Sequence, residues 1–149
     1  MKKKILIMGL PGAGKTTLAS KLKVLLDAKW FNADEIRKKF NDWDFSSEGR
    51  IRQAKRMSDL ADDYVKKGFY VIADFVCPTK KSREIYNPQF IIWLDTIDKS
   101  RFDDTNQIFT KPEKFDLRIT SKDADKWSME AFKMIVDEKK NKISSVECH

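Results

Sequence analysis

The residues of this sequence best suited to chemistry form a glycine-rich run that ends in lysine and threonine. Residues 9–16 read GLPGAGKT and fill the pattern G-x-x-x-x-G-K-[ST]. Glycines let backbone N–H groups close around phosphate oxygens, and the helix start that follows adds a favourable dipole. In this pattern Lys15 reaches the β- and γ-phosphates of a nucleotide, and the Thr16 hydroxyl ligates Mg²⁺. The run therefore predicts that the chain binds a nucleotide together with Mg²⁺. The predicted ATP-binding residues of the run are Gly9, Gly12, Ala13, Gly14, Lys15, Thr16 and Thr17.

A second candidate group follows the weak strand signal at residues 30–31. Asp34 is placed where an acceptor hydroxyl has to be oriented and deprotonated during phosphoryl transfer. Arg37 lies one helical turn farther on, and its planar guanidinium suits a phosphate or a sulfate. The residues alone leave a second interpretation open, in which Asn32 or Asp34 caps a helix and Arg37 is a surface charge.

The phosphate-loop pattern needs a strand before it and a helix after it, and the surrounding sequence predicts both. Buried strands are predicted at 5–8, 69–73 and 90–94, weaker strands at 30–31 and 115–119, and helices at 16–26, 47–67 and 125–142. Gly68 is a natural stop for the second helix. This alternation, with the phosphate loop after the first strand, predicts an α/β fold, a three-layer sandwich with a central parallel sheet of about five strands. Ligands of such a sheet bind at the carboxyl ends of its strands.

Composition limits the class of protein. The chain has 149 residues and a net charge of +7, which suits anionic ligands such as nucleotides without requiring a nucleic acid. We expect a single domain over 1–149 with a short lid at about 96–114. No apolar run reaches the roughly 18 residues of a membrane span, so we expect no membrane partner. Two cysteines, Cys77 and Cys148, do not make a disulfide framework and fit a reducing compartment, the cytoplasm. Both a monomer and a homodimer are compatible with the sequence.

Several segments resemble the adenylylsulfate kinases, P-loop kinases that use ATP and Mg²⁺ to phosphorylate the 3′-hydroxyl of adenosine 5′-phosphosulfate (APS). That family carries the patterns G-L-[SP]-G-[SA]-G-K-[ST], D-G-D-N-x-R and L-N-x-D-L-G-F-S-x-x-D-R. They resemble residues 9–16, NADEIR at 32–37 and FNDWDFSSEGR at 40–50. Its later I-A-S-F-x-[SC]-P and V-D-T segments resemble IADFVCP at 72–78 and LDT at 94–96. The resemblance covers about residues 4 to 96. It implies that the three-layer sandwich is that of a P-loop kinase and that residues 1–149 form a single P-loop kinase-like domain.

The resemblance implies a role for each matched side chain. Asp34 takes the position of the catalytic acid and base, beside Lys15 of the phosphate loop. Phe45 stacks on the adenine of the acceptor. From the residues alone, an equally good interpretation is that Phe45 anchors its loop by packing into the core. The other implied acceptor contacts are Arg37, Asn41, Arg50, Asp74 and Phe75.

The sequence also departs from the family patterns. Asn32, Ala33 and Glu35 replace the family's Asp, Gly and Asn around the catalytic Asp, and Asp74 replaces a serine. An acid directly after a strand is typical of a Walker-B Mg²⁺ ligand or of a second carboxylate beside Asp34, so the predicted metal ligands are Thr16 and Asp74.

The family's long basic lid is reduced here to SRFDDTNQIFT at 100–110. If remnants of the lid persist, Arg101 clamps the nucleotide and Phe109 closes on the acceptor base. Otherwise Asp103, Asp104 and Asn106 cap a turn.

Three functions are compatible with these features. The first is an ATP-dependent kinase resembling adenylylsulfate kinase, with APS as its acceptor and small-molecule nucleotides as its partners. The second keeps the reaction but uses another nucleoside, a small alcohol or a nucleic-acid hydroxyl. The third is a nucleotide-binding module without turnover, against which the intact Lys15, Thr16 and Asp34 argue.

Overall fold

A computed structural model of the protein describes residues 2–137. Five short strands form one sheet: β1 (Lys4–Met8), β2 (Lys29–Asn32), β3 (Val71–Asp74), β4 (Phe90–Leu94) and β5 (Leu117–Ile119). Their order across the sheet is β2-β3-β1-β4-β5, and all neighbouring pairs are parallel. The central strands β1 and β3 are buried along their whole length because helices cover both faces of the sheet.

Six helices form the two outer layers: α1 (Lys15–Leu26), α2 (Ala33–Phe40), α3 (Ser47–Lys66), α4 (Lys80–Tyr86), α5 (Asp103–Ile108) and α6 (Ala124–Val136). Apolar residues of α1 and α6 pack on one face of the sheet, where Leu22 and Ile135 are buried. Residues of α3 and α4, such as Met57 and Tyr86, pack on the other face. This confirms the predicted α/β three-layer sandwich. Within residues 2–137, no helix is long and apolar enough to cross a membrane.

The predicted elements are all present, with corrections at their ends. β3 starts at Val71 instead of Phe69, whose side chain is exposed. The last described helix ends at Val136, and the remainder of the predicted 125–142 helix lies outside the described residues, as do Cys148 and His149. Helices α4 and α5 were not predicted from the sequence. Both are short, six or seven residues, so they carry little periodicity.

A glycine near the start of α3 lets the preceding loop fold back onto the helix. A Cβ added at Gly49 would overlap the carbonyl oxygen of Asp44. We expect Gly49→Ala to destabilise the protein by about 1–3 kcal/mol through this clash, although alanine is the better helix former. Urea unfolding measures the change. Ser47→Ala, an exposed position in the same helix turn, is the control, and equal midpoints for the two variants would contradict the contact.

Candidate active site

A cavity of about 760 Å³ opens at the carboxyl ends of β1, β2 and β3. Its walls come from the loop and helix start after β1, from the start of α2 after β2, from the residues after β3, and from the segment around α5. Among the lining residues are Gly12, Gly14, Lys15, Thr16, Thr17, Asp34, Phe45, Arg50, Asp74, Phe75, Arg101 and Phe102. The parallel sheet therefore brings most of the predicted site residues to one place.

The phosphate loop adopts a conformation that requires glycine. Gly14 has a φ of 106° and is the N-cap of α1, and a Cβ on Gly9 would lie 2.8 Å from the carbonyl oxygen of Leu94. The Thr96 hydroxyl donates to the carbonyl oxygen of Ala13 at 2.8 Å and ties the loop to the end of β4. The loop is thus held between the first and fourth strands.

Lys15 lies at the start of α1 inside the cavity. Its Nζ donates to the carbonyl oxygen of Leu10 at 3.0 Å. Burial lowers the pKa of Lys15, and the carboxylates of Asp74 and Asp34 oppose that shift. The ammonium is therefore partly desolvated and flanked by two acids, an environment in which its attraction to phosphate oxygens is strengthened.

The residue that caps α2 is Asn32. Its side-chain oxygen accepts a hydrogen bond from the backbone N–H of Glu35 at 3.1 Å. The alternative that Asn32 caps the helix is confirmed, and Asp34 is not the cap. The accompanying interpretation of Arg37 as a surface charge is wrong, because only 4% of Arg37 is exposed. Asp34 lies in the first turn of α2, exposed to the cavity, where its carboxylate is available to an incoming hydroxyl.

Asp74 is a buried acid at the end of β3, with only 2% of its surface exposed. Its Oδ2 accepts hydrogen bonds from Asn32 Nδ2 at 2.9 Å and from Trp30 Nε1 at 3.1 Å. Burial raises the pKa of Asp74, and the Asn32 hydrogen bond, the Lys15 charge and the Trp30 hydrogen bond oppose that rise.

We tested whether the cavity residues fit a magnesium ion by the chemistry of their donor atoms. Asn32 Nδ2 lies 3.4 Å from Thr16 Oγ1 as well as 2.9 Å from Asp74, so one amide contacts both predicted ligands. Within residues 2–137 there is no group of three or more His, Cys, Asp or Glu side chains able to hold a metal. One hydroxyl and one carboxylate still fit Mg²⁺, which is commonly bound through one or two protein oxygens, substrate phosphates and water.

The raised pKa of Asp74 gives a prediction for stability. A carboxyl group whose pKa is raised on folding stabilises the protein fully below its unfolded pKa, and this contribution is lost as the pH rises through the folded pKa. We therefore expect Asp74→Asn, which retains an oxygen for both donors, to melt at a higher temperature than the parent at pH 7. The difference should shrink as the pH falls toward 3.8, the ordinary pKa of the group. Thermal melts across this range measure it, and a difference independent of pH would contradict the assignment.

Phe45 is not a core residue. Its ring is 49% exposed and lines the cavity, with the guanidinium carbons of Arg37 and Arg50 at 4.2 and 5.3 Å from the ring centroid. Both arginines also hold the loop itself. Arg37 donates to the carbonyl oxygens of Asp42 and Asp44 at 3.1 and 3.0 Å, and Arg50 Nε donates to the carbonyl oxygen of Phe45 at 3.0 Å. The ring is therefore presented to the cavity on a braced loop.

The predicted acceptor contacts at Asn41 and Phe109 do not reach the cavity. Asn41 is the left-handed C-cap of α2, and Phe109 packs under Arg83 against the apolar cluster beneath α3 and α4. Arg37, buried behind Phe45, lines a smaller adjoining pocket of about 60 Å³.

The segment around α5 contributes Phe102, which the sequence analysis did not single out. Its ring is 46% exposed and lines the cavity beside Arg101. The alternative prediction, that polar residues of this segment cap a turn, is confirmed for Asn106. Its side-chain oxygen accepts a hydrogen bond from the backbone N–H of Ser100 at 2.8 Å. The sequence signal that could have identified Phe102 is an aromatic residue beside an arginine within a polar stretch.

A second pocket, of about 220 Å³, adjoins the phosphate loop on its other side. Its walls are the first turn of α1, the end of β5 and the start of α6, including Thr17, Ile119 and Trp127. Lys122 lies between the two pockets and donates to the carbonyl oxygen of Gly12 at 2.9 Å. This apolar slot was not predicted from the sequence.

Comparison with known proteins agrees with this architecture. The model of the adenylylsulphate kinase family matches residues 1–92. A probable adenylyl-sulfate kinase of Aeropyrum pernix is 33% identical over 88 residues, which are 53% of this chain and 46% of that protein. The chain thus spans about half the length of this relative.

Two solved structures share the fold. The APS kinase CysC of Mycobacterium tuberculosis, in complex with AMPPNP and APS, superposes with a TM-score of 0.77 at 19% identity, covering 91% of this chain and 98% of that one. Shikimate kinase from Aquifex aeolicus superposes with a TM-score of 0.64 at 13% identity, covering 90% and 96%. The fold is that of the P-loop kinases, and since the family model matches well over half of its residues, the chain belongs to the adenylylsulphate kinase family.

Proposed function

We propose that the protein is an ATP-dependent kinase that transfers the γ-phosphoryl group of ATP to the 3′-hydroxyl of adenosine 5′-phosphosulfate. The observation that carries the proposal is the convergence of Lys15, Asp34 and Phe45 on one cavity, with all three residues inside the segment that the family model matches. These are a phosphate-binding cation, an exposed carboxylate and an exposed aromatic ring, which are the groups that a kinase of nucleotides needs.

The chemistry proposed for the cavity is an in-line displacement. Backbone N–H groups of residues 9–16 and Lys15 Nζ hold the β- and γ-phosphates. The oxygen of the acceptor hydroxyl bonds to the γ-phosphorus while Asp34 accepts the proton of that hydroxyl. The bond between the γ-phosphorus and the β,γ-bridging oxygen breaks, which releases ADP. Thr16 and Asp74 would hold Mg²⁺, which neutralises phosphate charge when bound.

The two pockets suggest where the ends of the substrates lie. The slot beside Trp127 has room for the adenine of ATP, and it joins the phosphate loop at Gly14 and Thr17. Arg101, at the rim of the larger cavity, is placed to contact the nucleotide phosphates. The acceptor then occupies the space between Asp34 and the rings of Phe45 and Phe102.

We expect Phe45→Ala to raise the KM of the acceptor roughly 5- to 150-fold and to leave the KM of ATP unchanged. Stacking of a base on an aromatic ring contributes about 1–3 kcal/mol, and this ring lies on the acceptor side of the cavity. Initial rates with each substrate varied in turn measure the effect. Phe69→Ala is the control, because it removes a ring of similar exposure, 42% against 49%, outside the cavity. Unchanged acceptor kinetics together with a lowered melting temperature would assign Phe45 a structural role.

A kinase for a different hydroxyl is the second candidate, and specific observations favour it. Asp74 adds a negative charge to the cavity where the family pattern has serine, and Asn41 and Phe109 lie outside it. Arg37 and Arg50 are hydrogen-bonded to the loop around Phe45, so fewer of their N–H groups are free for an anion. These features suit an acceptor with less negative charge than a phosphosulfate.

The remaining expectations stay predictions. They are one domain over 1–149, a lid at 96–114, a location in the cytoplasm, and either a monomer or a homodimer. Within residues 2–137, the free and buried thiol of Cys77 is in keeping with a reducing compartment.

ADP release measured against a panel of acceptors tests the proposal. The panel contains APS, adenosine, a neutral sugar alcohol and an oligonucleotide with free hydroxyls, each with ATP and Mg²⁺. We expect release that depends on APS, with Lys15→Ala as the blank for contaminating kinases. Transfer to another member of the panel but not to APS would establish the second candidate. ATP binding without turnover on any acceptor would instead indicate a nucleotide-binding module.

A further inference from the structure

Two N–H donors from β2 meet one oxygen of the buried Asp74 carboxylate. Trp30 Nε1 and Asn32 Nδ2 both donate to Oδ2, at 3.1 and 2.9 Å. The two donors are two residues apart on a strand and so lie on the same face, and Asn32 is the register partner of Asp74 across the sheet. This pair of hydrogen bonds fixes the rotation of the carboxylate about its Cβ–Cγ bond.

The other oxygen of Asp74 is left for the cavity. Within the described part of the chain, no group donates a hydrogen bond to Oδ1, and no buried side-chain oxygen lacks a partner. Because Asp74 lines the cavity, Oδ1 is reached from that side. It shares the cavity wall with Lys15 and Thr16, so it faces the region where the phosphates and their Mg²⁺ are proposed to lie.

The two donors differ in what else they do. Asn32 also caps α2 through Glu35 and contacts the Thr16 hydroxyl. Its removal would therefore disturb the helix cap, the contact with Thr16 and the hydrogen bond to Asp74 at once. Trp30 makes one polar contact, the bond to Asp74, and its ring packs against the core beneath α1. Replacement of Trp30 by phenylalanine keeps an aromatic ring there and deletes only the N–H donor.

We propose that Trp30 is a positioning residue for Asp74, whose indole N–H holds Oδ2 so that Oδ1 is presented to the Mg²⁺ of the bound nucleotide. The inference deepens the proposed function and rests on its nucleotide and metal, but not on the identity of the acceptor. The partners of metal-binding carboxylates commonly govern metal affinity in this way, because a carboxylate free to rotate presents its oxygen to the ion less often.

The first experiment tests the contact itself in the nucleotide-free protein. The indole ¹⁵N–¹H signal of Trp30 is assigned in the NMR spectrum by its loss in Trp30→Phe. We expect Asp74→Ala to move this signal and to leave the indole signal of Trp93 in place, since Trp93 lies in β4 outside the cavity. A Trp30 signal that does not respond to Asp74→Ala would overturn the proposal.

The second experiment measures metal affinity without turnover. Binding of Mn²⁺ to the complex with AMPPNP is followed by electron paramagnetic resonance. We expect Trp30→Phe to weaken it about tenfold, and Trp93→Phe, the control for loss of an indole from the same sheet, to leave it within about twofold. In an Asp74→Ala background, Trp30→Phe should have no further effect, because its action runs through that carboxylate.

Equal effects of Trp30→Phe and Trp93→Phe, or a Trp30→Phe effect that persists in the Asp74→Ala background, would refute the positioning role. These binding measurements need no acceptor. A tenfold effect in a protein that phosphorylates no member of the acceptor panel would therefore support this inference while refuting the proposed reaction.

Discussion

Lys15→Ala is expected to reduce phosphoryl transfer by about 10³-fold or more while the protein stays folded. The Lys15 ammonium is the cation within the phosphate loop, and in the proposed transfer it faces the charge that develops on the β,γ-bridging oxygen in the transition state. Its loss does not open the core, because the side chain lies in the cavity and its one described hydrogen bond is to the carbonyl oxygen of Leu10. Single-turnover rates with ATP and the best acceptor of the panel measure the effect.

Two controls separate catalysis from folding in this variant. The melting temperature of Lys15→Ala should equal or exceed that of the parent, because burial lowers the pKa of Lys15 and so disfavours its charged form. Lys66→Ala removes an exposed lysine from the end of α3, outside both pockets, and should leave the rate unchanged. If Lys15→Ala retained activity within a few-fold of the parent, the phosphate-loop mechanism would be refuted.

Asp34→Asn is expected to lower turnover by about 10²–10⁴-fold with little change in ATP affinity. The carboxylate is proposed to take the acceptor's proton, and general base catalysis contributes an effect of this size. The substitution keeps the shape of the side chain, and α2 keeps its cap because Asn32 supplies it. The kcat of the acceptor reaction and the dissociation constant of AMPPNP, measured on the same preparation, test the two parts of the prediction.

Glu35→Gln is the matched control for Asp34→Asn, because it removes one negative charge from the same exposed turn of α2. A loss of turnover of similar size in both variants would indicate a general electrostatic effect of the helix start. If Asp34→Asn changed only the affinity for ATP, the base would have to be sought at Asp74, the other acid in the cavity.

Residues close together in the sequence specified the phosphate-binding half of the site. The run at 9–16 places its glycines, Lys15 and Thr16 by local geometry alone, since a strand, a tight turn and a helix follow one another without a gap. The strand signals also predicted the parallel sheet, and with it the edge at which Asp34 and Asp74 meet. The alternation of apolar runs and helices carries this information because each element needs a buried face.

The rest of the site, which comprises Asp74 and the proposed acceptor side, was decided by contacts between distant parts of the chain. Trp30 and Asn32 reach Asp74 across 44 and 42 residues, so no local pattern could show which acid they orient. Whether Phe102 or Phe109 faces the cavity depends on how the short helix α5 packs, and its six residues carry no periodicity that fixes this. The sequence by itself thus determined the fold and the candidate phosphate site. Tertiary packing decided how Asp74 is oriented and which rings face the cavity, because hydrogen bonds and rings from separate elements meet only when the sheet and its loops have assembled.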